Sequence, residues 1–161
     1  VGAFDDCMNS LHKQEIVAAT RTAIEEGKPF LGICVGYQAL FDGSDEFNSC
    51  AAGFGFFKGR VVKFDHANGL KVPQIGWNQL QITRPDCPLW KNIPNGSYVY
   101  FVHSFYPQPV DESIVAARTE YGTTFSSAVW KENVFATQFH PEKSQKIGLQ
   151  LLSNFVEFAA K

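Results

Sequence analysis

The sequence predicts an α/β protein whose second half contains antiparallel strands. In the first half, apolar residues at helical spacing lead into a short apolar run, residues 30–33, and a glycine-flanked turn then leads into helix-favouring residues. Helix, strand, tight turn and helix in this order are typical of a parallel sheet covered by helices. From Gly59 onward, β-branched and aromatic segments alternate with connections that are mostly too short to hold a crossover helix. Such connections indicate antiparallel pairing.

The order of the elements follows from periodicity and from turn residues. Residues 1–4 are predicted to form a strand end or loop. A helix is predicted from Asp5 or Asn9 to Gly27, because apolar residues recur at helical spacing and Pro29 prevents its continuation. A buried strand at 30–33, a helix at 38–40, a polar loop at 42–46 and a glycine-aromatic loop at 53–57 follow. Segments rich in β-branched and aromatic residues predict strands at 60–64, 72–82, 98–106, 113–119, 126–130 and 134–139, and one apolar stripe predicts a closing helix from Gln145 or Ile147 to Ala160.

Composition excludes several classes of protein. The 161 residues suffice for one domain, 1–161, with a sizeable core, and 45% of them are apolar and 19% charged. A net charge of −2 gives no reason to expect a nucleic-acid or membrane-surface partner. No apolar run approaches the ~18 residues of a membrane span and no signal peptide opens the chain, so a cytoplasmic protein is expected. The four cysteines lack C-x-x-C spacing, so we expect neither a metal site nor a disulfide framework, and no cofactor.

Cys34 lies at the turn between the strand 30–33 and the following helix, flanked by Gly32 and Gly36. A sharp strand-to-helix turn is the usual place for an exposed nucleophile, and glycines allow the backbone to pass close to a ligand. The helix N-terminus is expected to favour the thiolate over the thiol. The alternative is a buried cysteine in a core strand, since free cysteine is among the most buried residue types.

A cysteine nucleophile needs a base, and His140 is the best candidate. It leaves a predicted strand, and Glu142 lies two residues later, on the same side of an extended chain. Glu142 can therefore orient the ring and stabilise its imidazolium form, which gives a nucleophile, a base and an orienting acid. The alternative is a hydrogen-bonded histidine at a strand end with a solvated glutamate. Of the other histidines, His103 also ends an apolar strand, whereas surface positions are expected for His12 and His66.

Gln38 follows Cys34 by four residues and is expected on the same helix face, one turn further on. Its neutral amide could bond a substrate held over the sulfur. The alternative is an ordinary exposed helix glutamine.

Two motifs together resemble the class I glutamine amidotransferases: GICVGYQ at residues 32–38 and HPE at residues 140–142. The pair is more specific than either motif, because the two occur in this order about a hundred residues apart. Three further segments resemble the members of this family that serve imidazole glycerol phosphate synthase in histidine biosynthesis: GFGFFKG at 53–59, VPQIGWN at 72–78 and YFVHSFY at 100–106. The resemblance covers essentially the whole chain. It implies a flavodoxin-like three-layer fold.

The resemblance also implies a role for each matching residue. Cys34 attacks the side-chain amide of glutamine, His140 protonates the departing ammonia and then activates water against the thioester, and Glu142 orients His140. The two ends of glutamine are held by Gln38, by Glu46, whose charge suits the ammonium, and by the backbone of Ser104 and Phe105. Backbone N–H groups of Val35 and Gly2 are expected to stabilise the oxyanion. Trp77, Asn78, Tyr100 and Lys143 match positions that face a (β/α)8-barrel cyclase, which receives the ammonia.

Two departures from the family pattern affect these expectations. Tyr37 stands where the family more often has methionine. At the N-terminus, only Val1 and Gly2 remain of a Pro-Gly-Val-Gly loop that supplies an oxyanion donor and follows a strand and helix. We therefore expect an N-terminally truncated chain, with an unpaired neighbouring strand, that is less stable than a full glutaminase and poorly active.

Three functions remain open on the sequence. The first is a glutaminase that supplies ammonia to histidine biosynthesis. The second is a class I glutaminase serving another synthase, including one dedicated to a cell-surface sugar. The third is a catalytically silent relative that acts only as an interaction module.

Overall fold

The computed structural model describes residues 4–46, 50–65 and 69–161. Of the predicted loop at 1–4, residues 1–3 lie outside these ranges, as do most of the turn at 67–69 and His66, and Gly2 is among them. Phe4 is helical, so the prediction is wrong for that residue. No helix in the described ranges is long and apolar enough to cross a membrane.

The N-terminal region forms two helices where one was predicted. Helix α1 spans Phe4–Lys13 and helix α2 spans Ile16–Glu25. The chain breaks between them because Glu15 adopts a left-handed conformation, with φ 58° and ψ 14°. The helical periodicity of apolar residues cannot predict this break, because the spacing continues across it. Gly27, with φ +82°, ends the second helix as expected.

A five-stranded sheet forms the centre of the molecule, in the order β1-β10-β9-β8-β5. Its first pair, β1 and β10, is parallel, and the other three pairs are antiparallel. This mixture confirms the predicted combination of a parallel core with an antiparallel second half. The strands are β1 (Phe30–Ile33), β5 (Gln81–Ile82), β8 (Val115–Glu120), β9 (Thr124–Lys131) and β10 (Val134–Thr137).

Two smaller groups of strands flank this sheet. The first has the order β2-β3-β7, with β2 (Gly43–Ser44) parallel to β3 (Gly59–Lys63), and β3 antiparallel to β7 (Phe105–Pro109). The second is an antiparallel ribbon of β4 (Gln74–Gln79) and β6 (Tyr98–His103). The predicted strands 72–82 and 98–106 are thus each divided, at Leu80 and Ser104, and their halves join different sheets. Strand propensity extends across both divisions, so it did not predict them.

Helices cover both faces of the central sheet, which gives the three layers that were expected. Leu31 and Phe135 point to the layer of α4 (Gln145–Ala159), where they meet Leu151 and Phe155 in one core. Their neighbours in sequence, among them Phe30, Val134 and Ala136, belong to a second core with α1, α2 and the short helix α3 (Val35–Gln38). This alternation is the period-2 geometry of a strand that is buried on both sides.

The glycine-aromatic loop is held against the body by its phenylalanines, as predicted. Phe54 and Phe57 are buried in the core beside α3. At Gly53 a Cβ would lie 1.9 Å from the carbonyl oxygen of Phe41, so only glycine fits there.

Helix α4 packs directly on the short 3-10 turn Pro141–Lys143 that contains Glu142. A Cβ at Gly148 would lie 1.8 Å from the carbonyl oxygen of Pro141. The contact is between backbones, which cannot adjust as a flexible side chain does.

Gly148→Ala is therefore expected to lower the free energy of unfolding by about 1–3 kcal/mol, because helix and turn must move apart. Leu149→Ala, at an adjacent position that is 64% exposed, is the matched control and should change it by less than about 0.5 kcal/mol. Urea denaturation of both variants measures the difference. Equal midpoints for the two variants would contradict the close packing of α4 on the turn.

Candidate active site

Cys34 occupies a strained turn between β1 and α3. Its φ of 54° and ψ of −109° place it outside the usual regions for a residue with a side chain, at a cost of roughly 1–3 kcal/mol. The backbone is held by a hydrogen bond from Cys34 N–H to the Thr137 carbonyl at 2.8 Å. The N–H groups of Tyr37 and Gln38 donate to the Cys34 carbonyl at 3.0 and 3.2 Å. The turn is therefore fixed on both sides, as a nucleophile at this position requires.

The two glycines beside this turn differ in what they allow. At Gly32 a Cβ would lie 2.7 Å from the carbonyl oxygen of Gly36. At Gly36 a Cβ would meet nothing within 4 Å. The expected crowding therefore applies to Gly32 alone.

Tyr37 fits the interior despite its departure from the family pattern. The side chain is fully buried, and its hydroxyl lies 2.8 Å from Ser126 Oγ on β9. Burial raises the pKa of this phenol. Tyr37 thus attaches α3 to the central sheet with its polar end satisfied.

The Cys34 thiol is buried, with 5% of the residue exposed. Burial raises its pKa, and a hydrogen bond from the Val35 backbone opposes this rise. The expectation that a helix N-terminus favours the thiolate is therefore wrong for the resting chain, since α3 has only four residues and desolvation dominates. A base has to remove the proton.

His140 has the hydrogen bonding of such a base. Its Nδ1 lies 2.6 Å from Glu142 Oε1. Because a carboxylate only accepts, Nδ1 carries a proton, and in the neutral tautomer so defined Nε2 is the acceptor. Nε2 is buried and has no hydrogen-bond partner among the described residues. The charges of Glu142 and Lys143 act on the Cys34 thiol, the first raising its pKa and the second lowering it.

A small cavity of about 60 Å³ lies over Cys34. It brings together most of the residues that the sequence assigns to glutamine, and it adds His103. Predicted residue Gly2 lies outside the described residues, and His140 is not part of this wall. The lining residues are Cys34, Val35, Gln38, Glu46, His103, Ser104 and Phe105.

Gln38 is buried, so the alternative of an exposed helix glutamine is wrong. Its Nε2 donates to the Phe105 carbonyl at 3.0 Å and to Gln138 Oε1 at 3.2 Å. Both N–H groups of the Gln38 side chain are thus engaged within the protein. They tie α3 to β7 behind the cavity.

Glu46 places a carboxylate in the cavity wall. Its Oε2 accepts the backbone N–H of Phe4 at 2.6 Å, at the start of α1. The acidic group also lies where a ligand ammonium could reach it.

His103 is a site residue that the sequence singled out only as a second candidate base. It is 2% exposed, its Nδ1 donates to the Phe105 carbonyl at 2.8 Å, and its Nε2 lies 2.8 Å from the Gln74 side-chain amide, whose N–H faces the ring when the ring is neutral. Burial lowers its pKa to about 4, so the ring is neutral near pH 7. It supports the backbone beside Cys34. Alternation along β6, with Val99, Phe101 and His103 buried, is the signal that would have placed it in the interior.

The four residues expected to face a partner do not all share one surface. Trp77 and Tyr100 are paired across β4 and β6, with ring centroids 5.8 Å apart, and Lys143 Nζ lies 6.0 Å from the Tyr100 ring. Asn78 lies on the opposite side of β4 from Trp77, where its Nδ2 donates to the Glu120 carbonyl at 2.8 Å. The exposed aromatic face of the ribbon therefore contains three of the four.

A family model and individual relatives both identify the same family. The family model for glutamine amidotransferase class-I matches residues 8–158. The imidazole glycerol phosphate synthase subunit HisH of Synechococcus sp. (strain JA-3-3Ab) is 50% identical over 161 residues, which cover 99% of this chain and 74% of that protein. The subunit of the same name from Syntrophotalea carbinolica is 50% identical over 160 residues, 96% of this chain and 77% of that protein.

Solved structures show the same fold at low sequence identity. A crystal structure of a glutamine amidotransferase matches with a TM-score of 0.71 and 20% identity, over 99% of this chain and 76% of that one. A glutamine amidotransferase from Thermotoga maritima matches with a TM-score of 0.64 and 15% identity, over 99% of this chain and 60% of that one.

Substitutions at the two glycines test the strained turn. Gly32→Ala is expected to cost about 1–3 kcal/mol, because a Cβ meets the Gly36 carbonyl. At about 2–4 °C per kcal/mol, thermal unfolding should show the loss clearly. Gly36→Ala, the matched control, should unfold at or above the temperature of the parent chain, since it meets no atom and alanine favours the helix. The reverse order of stabilities would contradict this geometry.

His103 predicts a specific dependence of stability on pH. Its folded-state pKa, about 4, lies below its ordinary value of 6.5, so the unfolded chain binds more protons between these values. The contribution of His103 to the free energy of unfolding is fully present above pH 6.5. It falls by about 1.4 kcal/mol per pH unit as the pH drops toward about 4, and by about 3 kcal/mol in all.

Urea denaturation at pH 7 and pH 4.5 should therefore show a smaller loss of stability for His103→Gln than for the parent chain. His12→Gln, on α1, should keep the parent's pH dependence. If His103→Gln also keeps the parent's pH dependence, the buried neutral ring is not the source of that dependence.

Proposed function

The chain belongs to the class I glutamine amidotransferase family, and we propose that it is the glutaminase subunit of an imidazole glycerol phosphate synthase. In this role it hydrolyses glutamine to glutamate and ammonia and passes the ammonia on for histidine biosynthesis. Two relatives with that subunit name are 50% identical over nearly the whole chain. The observation that carries the chemistry is the hydrogen bonding of His140, whose Nδ1 is held by Glu142 and whose Nε2 is unpartnered among the described residues. His140 follows β10, which pairs with the strand that leads into the strained turn of Cys34.

The first half of the reaction forms a thioester. His140 Nε2 takes the proton of the Cys34 thiol, and Sγ attacks the side-chain amide carbon of glutamine. The imidazolium so formed is stabilised by Glu142. It then donates its proton to the amide nitrogen, the carbon–nitrogen bond breaks and ammonia leaves.

The second half of the reaction releases glutamate. Water loses a proton to His140 Nε2 and attacks the thioester carbon. The carbon–sulfur bond breaks, and the proton returns from His140 to Cys34. The oxyanion of each tetrahedral intermediate is stabilised by the Val35 N–H, which already bonds to the Cys34 sulfur at rest. Gly2, outside the described residues, is proposed as a second donor.

The ends of glutamine are assigned to the cavity wall. Glu46 supplies a negative charge for the α-ammonium group, and Gln38, whose N–H groups are engaged elsewhere, can accept from it through Oε1. Backbone groups of Ser104 and Phe105, which line the same cavity, hold the α-carboxylate. His103 fixes the Phe105 carbonyl and so supports this part of the wall.

The ribbon of β4 and β6 is proposed to face the (β/α)8-barrel cyclase. Ile75, Trp77 and Tyr98 are 63%, 46% and 55% exposed, an apolar exposure that suits a protein partner. Lys143 and Tyr100 extend this face toward His140. Asn78 contributes from the other side of the ribbon, where it fixes the backbone through Glu120.

Residues 1–161 are proposed to form a single glutaminase domain that works in the cytoplasm. Cys7, Cys34 and Cys87 are free thiols, which fits a reducing compartment.

The proposal predicts that glutamine hydrolysis depends on the three residues together. Measured as glutamate released by the chain in complex with its cyclase, Cys34→Ser and His140→Asn should each lose activity by about 10²–10⁴-fold or more, and Glu142→Gln by a smaller factor. Lys91→Gln, in an exposed ion pair with Glu157, is the control and should keep full activity.

A glutamine-mimicking diazo ketone should also alkylate Cys34 in the complex, as read by mass spectrometry. Undiminished hydrolysis by Cys34→Ser would exclude this mechanism. An intact, folded complex with neither hydrolysis nor labelling would instead support the silent interaction module.

A further inference from the structure

Gln138 lies behind the nucleophile and has no place in the mechanism above. It follows β10, is fully buried, and its backbone N–H donates to the Ser127 carbonyl at 2.9 Å. Its side-chain Nε2 lies 3.8 Å from Cys34 Sγ, within hydrogen-bond distance for sulfur.

The orientation of this amide is set by a neighbouring carbonyl. The Phe105 carbonyl can only accept, so the Gln38 amide presents N–H groups to it. The same Gln38 nitrogen lies 3.2 Å from Gln138, which must therefore present its oxygen to Gln38. This leaves the N–H groups of Gln138 on the side of the sulfur. A line of hydrogen bonds thus runs from Phe105 through two amides to the nucleophile.

The N–H of Gln138 stabilises a charged sulfur more than a neutral one. A thiol is a weak acceptor, so a fully buried amide gains little from it at rest. Hydrogen bonds to an ionised acceptor are roughly twice as strong, and they favour the charged form. The N–H of Gln138 therefore offsets part of the desolvation of Cys34 once its proton has left.

We propose that Gln138 is a positioning residue for the nucleophile, whose side-chain N–H orients Cys34 Sγ and stabilises its thiolate. The inference rests on the proposed function for its catalytic consequence, and on the contact alone for its effect on the thiol. Gln38, which lines the cavity, fixes Gln138 in turn.

Gln138→Met tests this role, because methionine has a similar volume and no N–H donor. The apparent pKa of Cys34 alkylation by iodoacetamide should rise by about one unit, equivalent to a tenfold lower rate near pH 7. In the complex with the cyclase, kcat for glutamine hydrolysis should fall about tenfold, with KM changed less than about twofold. Gln138→Asn, whose amide is too short to keep the contact, should shift the alkylation profile in the same direction.

The other charged and titratable groups around Cys34 stay the same in these variants. In the part of the chain that the structure describes, they are His103 and Glu46 across the cavity, and His140, Glu142 and Lys143 after β10. A shifted profile therefore reports the lost amide.

Asn154→Leu is the matched structural control. Asn154 is a buried amide whose Nδ2 donates to the Leu89 and Lys91 carbonyls at 2.8 and 2.7 Å, on the far side of α4. This variant should lose stability and leave the alkylation profile unchanged. If either Gln138 variant is folded and keeps the parent's profile, the proposal is overturned.

A measurement on the parent chain covers the case in which neither Gln138 variant folds. The side-chain amide resonance of Gln138 should shift with the titration of Cys34, and a resonance that is insensitive to it would overturn the proposal. Alkylation needs no glutamine turnover. A shifted profile in a chain that hydrolyses no glutamine would therefore uphold the role of Gln138 and reject the proposed function.

Discussion

The parallel pairing of β1 with β10 is the contact on which the site depends. Its register aligns Ile33 with Thr137, and the bond from Cys34 N–H to the Thr137 carbonyl extends it by one residue. Segments about a hundred positions apart in sequence thus end at the same edge of the sheet. The nucleophile leaves from one strand and His140 follows the other, three residues beyond the last pair. A slip of one residue would send each side chain to the opposite face.

Much of this arrangement could be predicted because it is encoded locally. The short apolar run before Cys34, the glycine at position 32 and the i, i+2 spacing of His140 and Glu142 each predict local geometry, and the family resemblance joins them. The breaks at Glu15, Leu80 and Ser104 could not be predicted, because period and propensity continue across them. Their positions depend on which sheet each half joins, a tertiary choice.

The electrostatics and hydrogen bonding of the site could not be predicted from the sequence either. A helix start suggested a thiolate, but burial depends on packing around Cys34 and outweighs a single turn of helix. For Gln38 the sequence predicts either a substrate contact or an exposed residue, and the structure excludes the exposed residue, since the side chain is buried and bonded to two groups. Gln138 could not be predicted as a site residue, because β10 is buried at every position and so shows no alternation that separates its two sides. Its proposed role depends on two neighbours in the fold, the Cys34 sulfur and the Gln38 amide.

The carboxylate of Glu46 serves two parts of the molecule at once. One oxygen accepts the first described N–H of α1, and the same group lines the cavity over Cys34. A change at Glu46 therefore alters the N-terminus of a helix together with the charge available to a ligand. Kinetic data on such a variant report a sum of the two effects, and the affinity for substrate can be separated only if the integrity of α1 is followed independently. By linkage, any effect of the helix N-terminus on occupancy of the cavity is matched by an equal effect of occupancy on the helix N-terminus.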